Sequence, residues 1–142
     1  MLVLNGPNLG RLGSREPDIY GTVSYDGLVA ACREVGQELG LTIDARQTED
    51  EAELVRWLHE AADHRIPVVL NAAAFTHYSY SLRDAIAQRT APLIEVHLSN
   101  PASREEFRHT SVIAGVASGA IAGFGINSYL LALRALVDQP LK

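Results

Sequence analysis

The stretch PVVLNAAAFTHYSYSLRDAIAQRTAPLIEVH, residues 67–97, contains two short apolar runs separated by a segment of helical periodicity. The runs Val68–Asn71 and Leu93–His97 predict buried strands, because they are short and bounded by turn residues. Between them, Ser79 is a suitable N-cap for a helix that continues to about Arg89. A strand, a helix and a second strand in this order indicate a βαβ unit, whose strands are parallel.

The same alternation continues on both sides of this unit and predicts five strands in all. The further strands are predicted at residues 2–5, 41–46 and 119–124. One further helix is predicted from a cap at Ser24 to residue 39, and another at residues 127–137. A Thr48–Glu51 capping box predicts a helix that buries Leu54, Leu58 and Ala61. A Ser103–Glu106 capping box predicts a short helical turn. This pattern predicts an α/β fold, a flavodoxin-like doubly wound sheet of five parallel strands in the order 2-1-3-4-5. We expect residues 1–142 to form a single catalytic domain.

Composition excludes several classes of function. The 12 basic and 17 acidic residues give a net charge of −5, which argues against a nucleic-acid-binding surface. Cys32 is the only cysteine, so intramolecular disulfides and cysteine-based metal clusters are excluded. The only lysine is Lys142, at the end of the sequence, so a Schiff-base mechanism has no amine that could be buried in a pocket.

Residues 110–133 contain no charged side chain, and Gly115, Gly119 and Gly123 repeat at the spacing of paired membrane helices. Small residues interrupt the first half of this segment, and a turn signal follows at Gly125. We therefore expect a strand and a separate helix here, and no membrane span. The sequence starts with an apolar run that lacks the preceding basic residues of a secretory leader, so we expect a cytoplasmic protein.

Polar and ionisable side chains collect where the predicted strands end, which is where doubly wound sheets bind their ligands. Strand 1 leads from Asn5 into Asn8, strand 3 ends at Asn71, and strand 4 ends at His97. Glu95 precedes His97 by two residues, so both side chains lie on one face of the strand and the carboxylate can orient the imidazole. This pair suits a general acid.

The loop after strand 1, NGPNLGRLGSREPDIYG at residues 5–21, is rich in glycine but does not match a phosphate-binding loop. Such a loop needs its helix to begin at once, whereas about ten residues separate the glycines from the Ser24 cap. A loop of this length in a small domain is typical of a functional lid. Arg15 and Tyr20 are its candidate catalytic residues. A phenol has a pKa of about 10, and a guanidinium from Arg15 or Arg108 favours the phenolate that a base requires.

Four stretches resemble the type II 3-dehydroquinate dehydratases, and together they cover essentially the whole chain. They are the loop sequence quoted above, LNAAAFTH at residues 70–77 with SLRDA at 81–85, EVHLSNPASREEFR at 95–108, and GFG followed by YLLAL near the end. The resemblance implies an anti elimination of water from 3-dehydroquinate that gives 3-dehydroshikimate through an enolate, without a metal or a cofactor. The spacing of the His, Asp and Glu residues likewise predicts no metal site. The reaction serves aromatic biosynthesis in the shikimate pathway or quinate breakdown, and the sequence leaves both open.

The resemblance also implies a role for each candidate residue. Tyr20 is the base at C2 of the substrate, Arg15 lowers its pKa, and His97 protonates the departing C1 hydroxyl. The residues that support them are Asn8, which positions a water at the enolate, Glu95 behind His97, and Asn71, which holds both Glu95 and His97. The expected substrate contacts are Leu98 and Ser99 at the carboxylate, His77 and Arg108 at the ring hydroxyls, and Asp84 in the site of a neighbouring subunit. The family implies a homo-oligomer, a dodecamer built from trimers.

The sequence departs from the family pattern in three places. Residues 72–74 are alanines where a glycine-containing stretch is usual, Tyr78 stands where threonine is usual, and Thr110 stands where histidine is common. The added bulk beside His77 bears on how the hydroxyl end of the substrate fits.

Two other functions are compatible with the fold. A flavodoxin-like FMN-binding electron carrier needs a Ser/Thr-rich phosphate loop directly after strand 1, and Gly6, Pro7 and Asn8 do not provide one. A phosphoacceptor receiver module needs an aspartate at the end of strand 3, where Asn71 stands.

Overall fold

Five parallel strands in the order β2-β1-β3-β4-β5 form the sheet of the computed structural model, which describes residues 1–138, Pro140 and Leu141. The strands are β1 (Leu2–Asn5), β2 (Asp44–Gln47), β3 (Val68–Asn71), β4 (Leu93–His97) and β5 (Gly119–Ala122). Neighbouring strands pair in parallel throughout. The predicted doubly wound α/β fold and its strand order are therefore confirmed.

Helices cover both faces of the sheet. They are α1 (Pro17–Tyr20), α2 (Tyr25–Glu38), α3 (Glu51–Asp63), α4 (Tyr80–Ala87) and α5 (Asn127–Asp138). Short 3₁₀ turns connect the elements, at Leu9–Arg11, Ala73–His77, Pro101–Ser103, Glu106–Arg108 and Ala114–Val116. Sequence reasoning missed α1, a single turn inside the long loop that follows β1.

Two apolar clusters hold the layers together, because side chains alternate between the two faces of each strand. Leu2 and Leu4 of β1 join the cluster with α3 and α4, whereas Val3 joins the cluster with α2 and α5. Cys32 lies in the second cluster, and burial raises the pKa of its thiol to about 12. The thiol is therefore not available as a nucleophile at neutral pH.

The predicted N-caps at Ser24 and Ser79 are confirmed. Each serine hydroxyl accepts a hydrogen bond of 3.0 Å from the backbone amide three residues later, that of Gly27 in α2 and that of Leu82 in α4. Such a bond satisfies one of the amides that a helix start leaves without a partner. Helix α4 ends two residues earlier than predicted, at Ala87, and α5 ends one residue later.

Strand β2 begins later than predicted. The amide of Leu41 donates to the carbonyl of Gly36 at 2.7 Å, and Gly40 has a φ of 72°, so these residues close the C-terminal end of α2. Pairing with β1 starts only at Asp44, opposite Leu2. The prediction of a strand at residues 41–46 was wrong at its start because a helix-capping turn uses its first residues.

The capping box predicted for α3 does not form. Asp50 caps this helix, with its carboxylate accepting from the amide of Ala52 at 2.9 Å, and the Thr48 hydroxyl accepts from the amide of Asp50 at 3.0 Å. The Glu51 carboxylate accepts a hydrogen bond from Ser79, at the start of α4. The helix therefore begins after Asp50, two positions later than the predicted Thr48 cap.

The prediction of a capping box at Ser103 and Glu106 is also wrong. Asn100 caps the turn at Pro101–Ser103, accepting from the amide of Ala102 at 3.2 Å, and the Ser103 hydroxyl donates back to the Asn100 carbonyl at 2.9 Å. The turn at Glu106–Arg108 has no side-chain cap.

The uncharged residues 110–133 form strand β5 and the first half of α5, as predicted, although β5 ends at Ala122 rather than at residue 124. None of the helices in the described part of the chain has both the length and the apolar run that a membrane span needs.

Candidate active site

The carboxyl ends of β1, β3 and β4 open into a cavity of about 550 Å³, a volume that includes its open mouth. Its walls come from these strand ends, from residues 9–21, which we call the lid, and from the loops after β3 and β4. Nine of the eleven predicted site residues line the cavity: Asn8, Arg15, Tyr20, Asn71, His77, His97, Leu98, Ser99 and Arg108. This is the place where a doubly wound sheet binds its ligand.

Asn8, which lines the cavity, has a left-handed backbone conformation with a φ of 70°. Asparagine is one of the few residues other than glycine that adopt this conformation readily. The amide of Asn8 donates to the Glu49 carboxylate at 2.9 Å, and Glu49 also accepts from Gln47 at 2.8 Å. These bonds tie the exit of β1 to the end of β2 and fix where Asn8 meets the cavity.

Two guanidinium groups contact the ring of Tyr20 at the end of α1. The Cζ atom of Arg15 lies 4.5 Å from the ring centroid, and that of Arg104 lies 4.9 Å away. Arg104 also donates to the Ser99 hydroxyl at 3.3 Å, whereas its Nε is buried without a hydrogen-bond partner among the described residues. Tyr20 thus has two positively charged groups at its ring, Arg15 from the lid and Arg104 from the loop after β4.

Arg108 was one of the two arginines considered as the cation beside Tyr20, and it does not contact the Tyr20 ring. Its guanidinium pairs with Glu105 and lies 4.5 Å from the ring centroid of Phe107. The hydrogen bond from Arg108 lowers the pKa of Glu105 below its usual value of 4.5. Arg108 still lines the cavity, so it remains available to a ligand.

His97 and Glu95 lie together at the end of β4, as their spacing predicts. Glu95 is only 2% exposed, and its Oε1 lies 3.3 Å from His97 Nε2. The Ser111 hydroxyl donates to the same oxygen at 2.5 Å. The buried carboxylate therefore fixes which ring nitrogen of His97 faces it.

A buried polar network supports the strand ends. The Tyr129 hydroxyl donates to Asn5 Oδ1 at 2.7 Å, and both residues are fully buried. Burial raises the pKa of Tyr129, and a hydrogen bond with Asn71 opposes this rise. Asn71 also accepts from the amide of Ala73 at 3.1 Å. None of the hydrogen bonds described for the Asn71 side chain reaches Glu95 or His97, the two residues that the resemblance implies it holds.

His77 lies on the turn after β3, next to the loop that follows β4. Its Nδ1 is 2.9 Å from the carbonyl oxygen of Thr110, and its ring packs edge-on against Phe107 at 5.9 Å. Because a carbonyl only accepts hydrogen bonds, Nδ1 carries the proton and Nε2 remains for other partners.

Asp84 does not line this cavity. It is exposed on α4, and its neighbour Arg83 donates to the carbonyl of Val112 at 2.6 Å instead of pairing with Asp84. Glu95 is the other predicted residue outside the lining, because it lies behind His97. No group of three or more His, Cys, Asp or Glu side chains in the described residues could hold a metal ion.

Sequence reasoning missed Arg104 and Ser111. Arg104 stands four residues before Arg108 in the matching stretch, and sequence spacing does not decide which of the two reaches Tyr20. Ser111 follows that stretch, and its contact with Glu95 joins residues 16 positions apart, which no local pattern reveals.

The fold and the cavity define the class of this protein, a doubly wound α/β enzyme with acid–base side chains at the strand ends. A model of the family described as dehydroquinase class II matches residues 1–137. The chain belongs to this family.

Named relatives and solved structures agree with this assignment. A 3-dehydroquinate dehydratase of Salinispora tropica is 59% identical over 137 residues, which is 96% of each chain. The crystal structure of a type II dehydroquinase from Propionibacterium acnes superposes with a TM-score of 0.96 at 55% identity, covering 98% of this chain and 96% of that one. A type II dehydroquinase from Butyrivibrio crossotus gives a TM-score of 0.93 at 41% identity, covering 95% and 94%.

Proposed function

We propose that this chain is a type II 3-dehydroquinate dehydratase, which eliminates water in the anti sense from 3-dehydroquinate and gives 3-dehydroshikimate through an enolate. One observation carries the proposal: Tyr20, with two guanidinium groups at its ring, and His97, with a buried carboxylate behind it, line the same cavity. The elimination needs a base for the C2 proton and an acid for the C1 hydroxyl, and these residues are the candidates for each. The identity to relatives named 3-dehydroquinate dehydratase supports the substrate.

Tyr20 is the proposed base. A phenolate at this position lies next to the positive charges of Arg15 and Arg104, 4.5 and 4.9 Å from the ring centroid, which stabilise it. The phenolate takes the C2 proton, and the electron pair of the C–H bond moves into the enolate. Asn8 holds a water that donates a hydrogen bond to the enolate oxygen. The structure supports this role of Asn8 through its fixed place on the cavity wall.

His97 is the proposed acid. With Nε2 facing the Glu95 carboxylate, Nδ1 is the nitrogen that delivers the proton to the C1 hydroxyl as the C–O bond breaks and water leaves. Glu95 lies behind His97 and orients the imidazole for the transfer. Asn71 contributes by fixing the end of β3 beside this pair.

The remaining cavity residues are the proposed substrate contacts. The amides of Leu98 and Ser99 and the Ser99 hydroxyl bind the carboxylate, next to the positive charge of Arg104. His77 and Arg108 bind the ring hydroxyls. Because Nδ1 of His77 donates to a backbone carbonyl, a neutral His77 presents Nε2 as a hydrogen-bond acceptor for one hydroxyl.

The direct test is to mix the purified protein with 3-dehydroquinate and to follow ultraviolet absorbance from the conjugated enone carboxylate of the product. We expect the absorbance to grow in proportion to enzyme. An absorbance that does not increase even at high enzyme concentration would contradict the proposal. A yellow protein that binds FMN would instead support the electron carrier, although the chain leaves β1 through a 3₁₀ turn at Leu9–Arg11 and not through a phosphate-binding helix.

Two controls test the proposed absence of a Schiff base and of a metal. Borohydride added with substrate should not inactivate the enzyme, because an imine needs a pocket amine. The only lysine, Lys142, lies outside the described residues. Chelators should leave the rate unchanged, and a rate that depends on added metal would contradict this part of the proposal.

The proposal includes assembly into a homo-oligomer, a dodecamer built from trimers, in which Asp84 reaches the site of a neighbouring subunit. Its support is the exposure of large apolar side chains, among them Phe107, Phe124 and Leu131, and the position of Asp84 on the outer surface of α4. Light scattering over a dilution series tests it. A fully active monomer would contradict the shared site, and Asp84→Ala should weaken substrate binding or assembly without unfolding the subunit.

Residues 1–142 act in this proposal as one catalytic domain. We place the enzyme in the cytoplasm, since its single cysteine is a buried free thiol, which suits reducing conditions. The reaction belongs to the shikimate pathway or to quinate catabolism, and a deletion strain grown with and without aromatic amino acids distinguishes the two.

A further inference from the structure

Ser111 makes an unusually complete set of hydrogen bonds beside the proposed acid. Its hydroxyl donates to Glu95 Oε1 at 2.5 Å and accepts from the amides of Ile113 at 3.3 Å and Ala114 at 3.0 Å. A hydroxyl has one proton to donate and two lone pairs to accept with. Both lone pairs are used by amides, so the single proton goes to the carboxylate, and the same oxygen of Glu95 lies 3.3 Å from Nε2 of His97.

The backbone on either side of Ser111 is held in place. The carbonyl of Thr110 accepts from His77 Nδ1 at 2.9 Å. The amide of Val112 donates to the carbonyl of Thr76 at 2.9 Å, and the carbonyl of Val112 accepts from Arg83 at 2.6 Å. The hydroxyl therefore sits at a fixed position relative to the turn after β3 and to α4.

We propose that Ser111 is a positioning residue for the acid: its hydroxyl holds the Glu95 carboxylate aimed at His97. This inference rests on the proposed function and adds a residue to it. A hydrogen bond to a carboxylate is short and directional, so this bond removes rotational freedom from the Glu95 side chain. Without the hydroxyl, nothing on that side holds Glu95 Oε1 at its place 3.3 Å from Nε2 of His97.

The other neighbours of the pair do not duplicate this bond. In the sheet, Glu95 is flanked by Leu70 of β3 and Ala120 of β5, which carry no charge. On the cavity side, the titratable and charged groups that line the wall together with His97 are Arg15, Tyr20, His77, Arg104 and Arg108. Among the hydrogen bonds of the described residues, the side-chain donor to Glu95 is Ser111.

The test is the Ser111→Ala variant assayed with 3-dehydroquinate. We expect kcat to fall about tenfold or more, as for loss of a hydrogen bond to a charged group, with KM within about twofold. Ser111→Thr keeps the hydroxyl and should restore kcat. If Ser111→Ala does not fold, Ser111→Cys replaces it, with the same expected loss of kcat.

Two further variants separate positioning from a structural role. Ser118→Ala removes a serine hydroxyl that accepts from the Leu93 amide at 3.1 Å, away from Glu95, and should leave kcat unchanged. In the Glu95→Gln background, Ser111→Ala should cause no further loss, because its effect passes through the carboxylate. An equal loss in both backgrounds, or an unchanged kcat in Ser111→Ala when the wild-type enzyme is active, would overturn the inference. An inactive wild-type enzyme would instead overturn the proposed function.

Discussion

The two walls of the cavity are built differently. The strand wall consists of Asn71, Glu95 and His97, at the ends of β3 and β4. Asn71 and Glu95 are no more than 4% exposed, and Glu95 accepts a hydrogen bond from Ser111, 16 residues further along the chain. In the lid, the hydrogen bonds that the structure describes for residues 12–21 go to other residues of the lid and span four residues or fewer.

This difference separates the two halves of the proposed chemistry. The acid is fixed by the core, because β4 is buried and Glu95, which accepts from Ser111, lies directly behind His97. The base depends on charge contacts at a partly exposed tyrosine, and Arg104 is the cation that joins the lid to the loop after β4. Substitutions in the lid should therefore change catalysis with little change in stability, whereas loss of the buried hydrogen bond between Tyr129 and Asn5, beneath the strand wall, should mainly lower stability.

The largest expected effect is that of Tyr20→Phe. The variant keeps the ring and its packing but removes the base, so kcat should fall by about 10²- to 10⁴-fold, the range of general acid–base catalysis. Steady-state kinetics measures the loss, and substrate binding by calorimetry should persist. Tyr80→Phe is the matched control, because this tyrosine is 69% exposed and does not line the cavity. A Tyr20→Phe enzyme with more than a tenth of the wild-type rate would remove Tyr20 from the mechanism.

The next effect tests whether both guanidinium groups matter. Arg15→Ala and Arg104→Ala should each lower kcat about 10- to 100-fold, because each removes a positive charge beside the developing phenolate. Arg104→Ala should also raise KM, since Arg104 bonds the Ser99 hydroxyl at the proposed carboxylate site. Arg11→Ala, on the exposed 3₁₀ turn of the lid, is the control and should be neutral. An unchanged kcat in Arg104→Ala would leave Arg15 as the sole activator.

The strand wall was predictable from the sequence, and so was the contact of Arg15 with Tyr20 in the lid, but the second cation at Tyr20 was not. Period-two spacing placed Glu95 and His97 on one face, and the rule that ligands bind at strand ends brought nine of the eleven named residues to one cavity. The choice between Arg104 and Arg108 depends on how two consecutive 3₁₀ turns orient their side chains, which no periodic pattern encodes. The same holds for β2, where the capping turn at Gly40 and Leu41 competes with strand pairing.

A smaller effect, on stability, is expected beneath the strand wall. Tyr129→Phe removes the hydroxyl that donates to Asn5 Oδ1 and leaves this acceptor buried without that donor. The free energy of unfolding should fall by about 1–3 kcal/mol, the cost of a buried polar group that loses its partner. Urea denaturation measures it, with Tyr80→Phe again as the exposed control. A loss below about 0.5 kcal/mol would indicate that the Asn5 amide finds another donor.

The smallest effect concerns Arg46, whose charge network lies outside both walls. Its guanidinium contacts Asp44 at 2.6 Å and Glu60 at 2.7 Å, and these hydrogen bonds lower the pKa of both carboxyls below their usual values of 3.8 and 4.5. A carboxyl whose pKa is lower in the folded state contributes stability that is fully present above its usual pKa and is lost as the pH falls through its folded-state pKa.

Because the Asp44 and Glu60 side chains are 53% and 40% exposed, solvent screens the network. Arg46→Gln should therefore lower the free energy of unfolding by only about 1 kcal/mol at neutral pH. The difference from wild type should shrink below about pH 4 as the carboxyls are protonated. Arg56→Gln is the control, since its nearest carboxylate oxygen, on Asp50, is 3.9 Å away and both side chains are more than 60% exposed. Arg46 lies outside the cavity lining, so kcat should not change. A fall in kcat would show that a substitution in β2 affects the site, and that stability and catalysis are not separated between these regions as we infer.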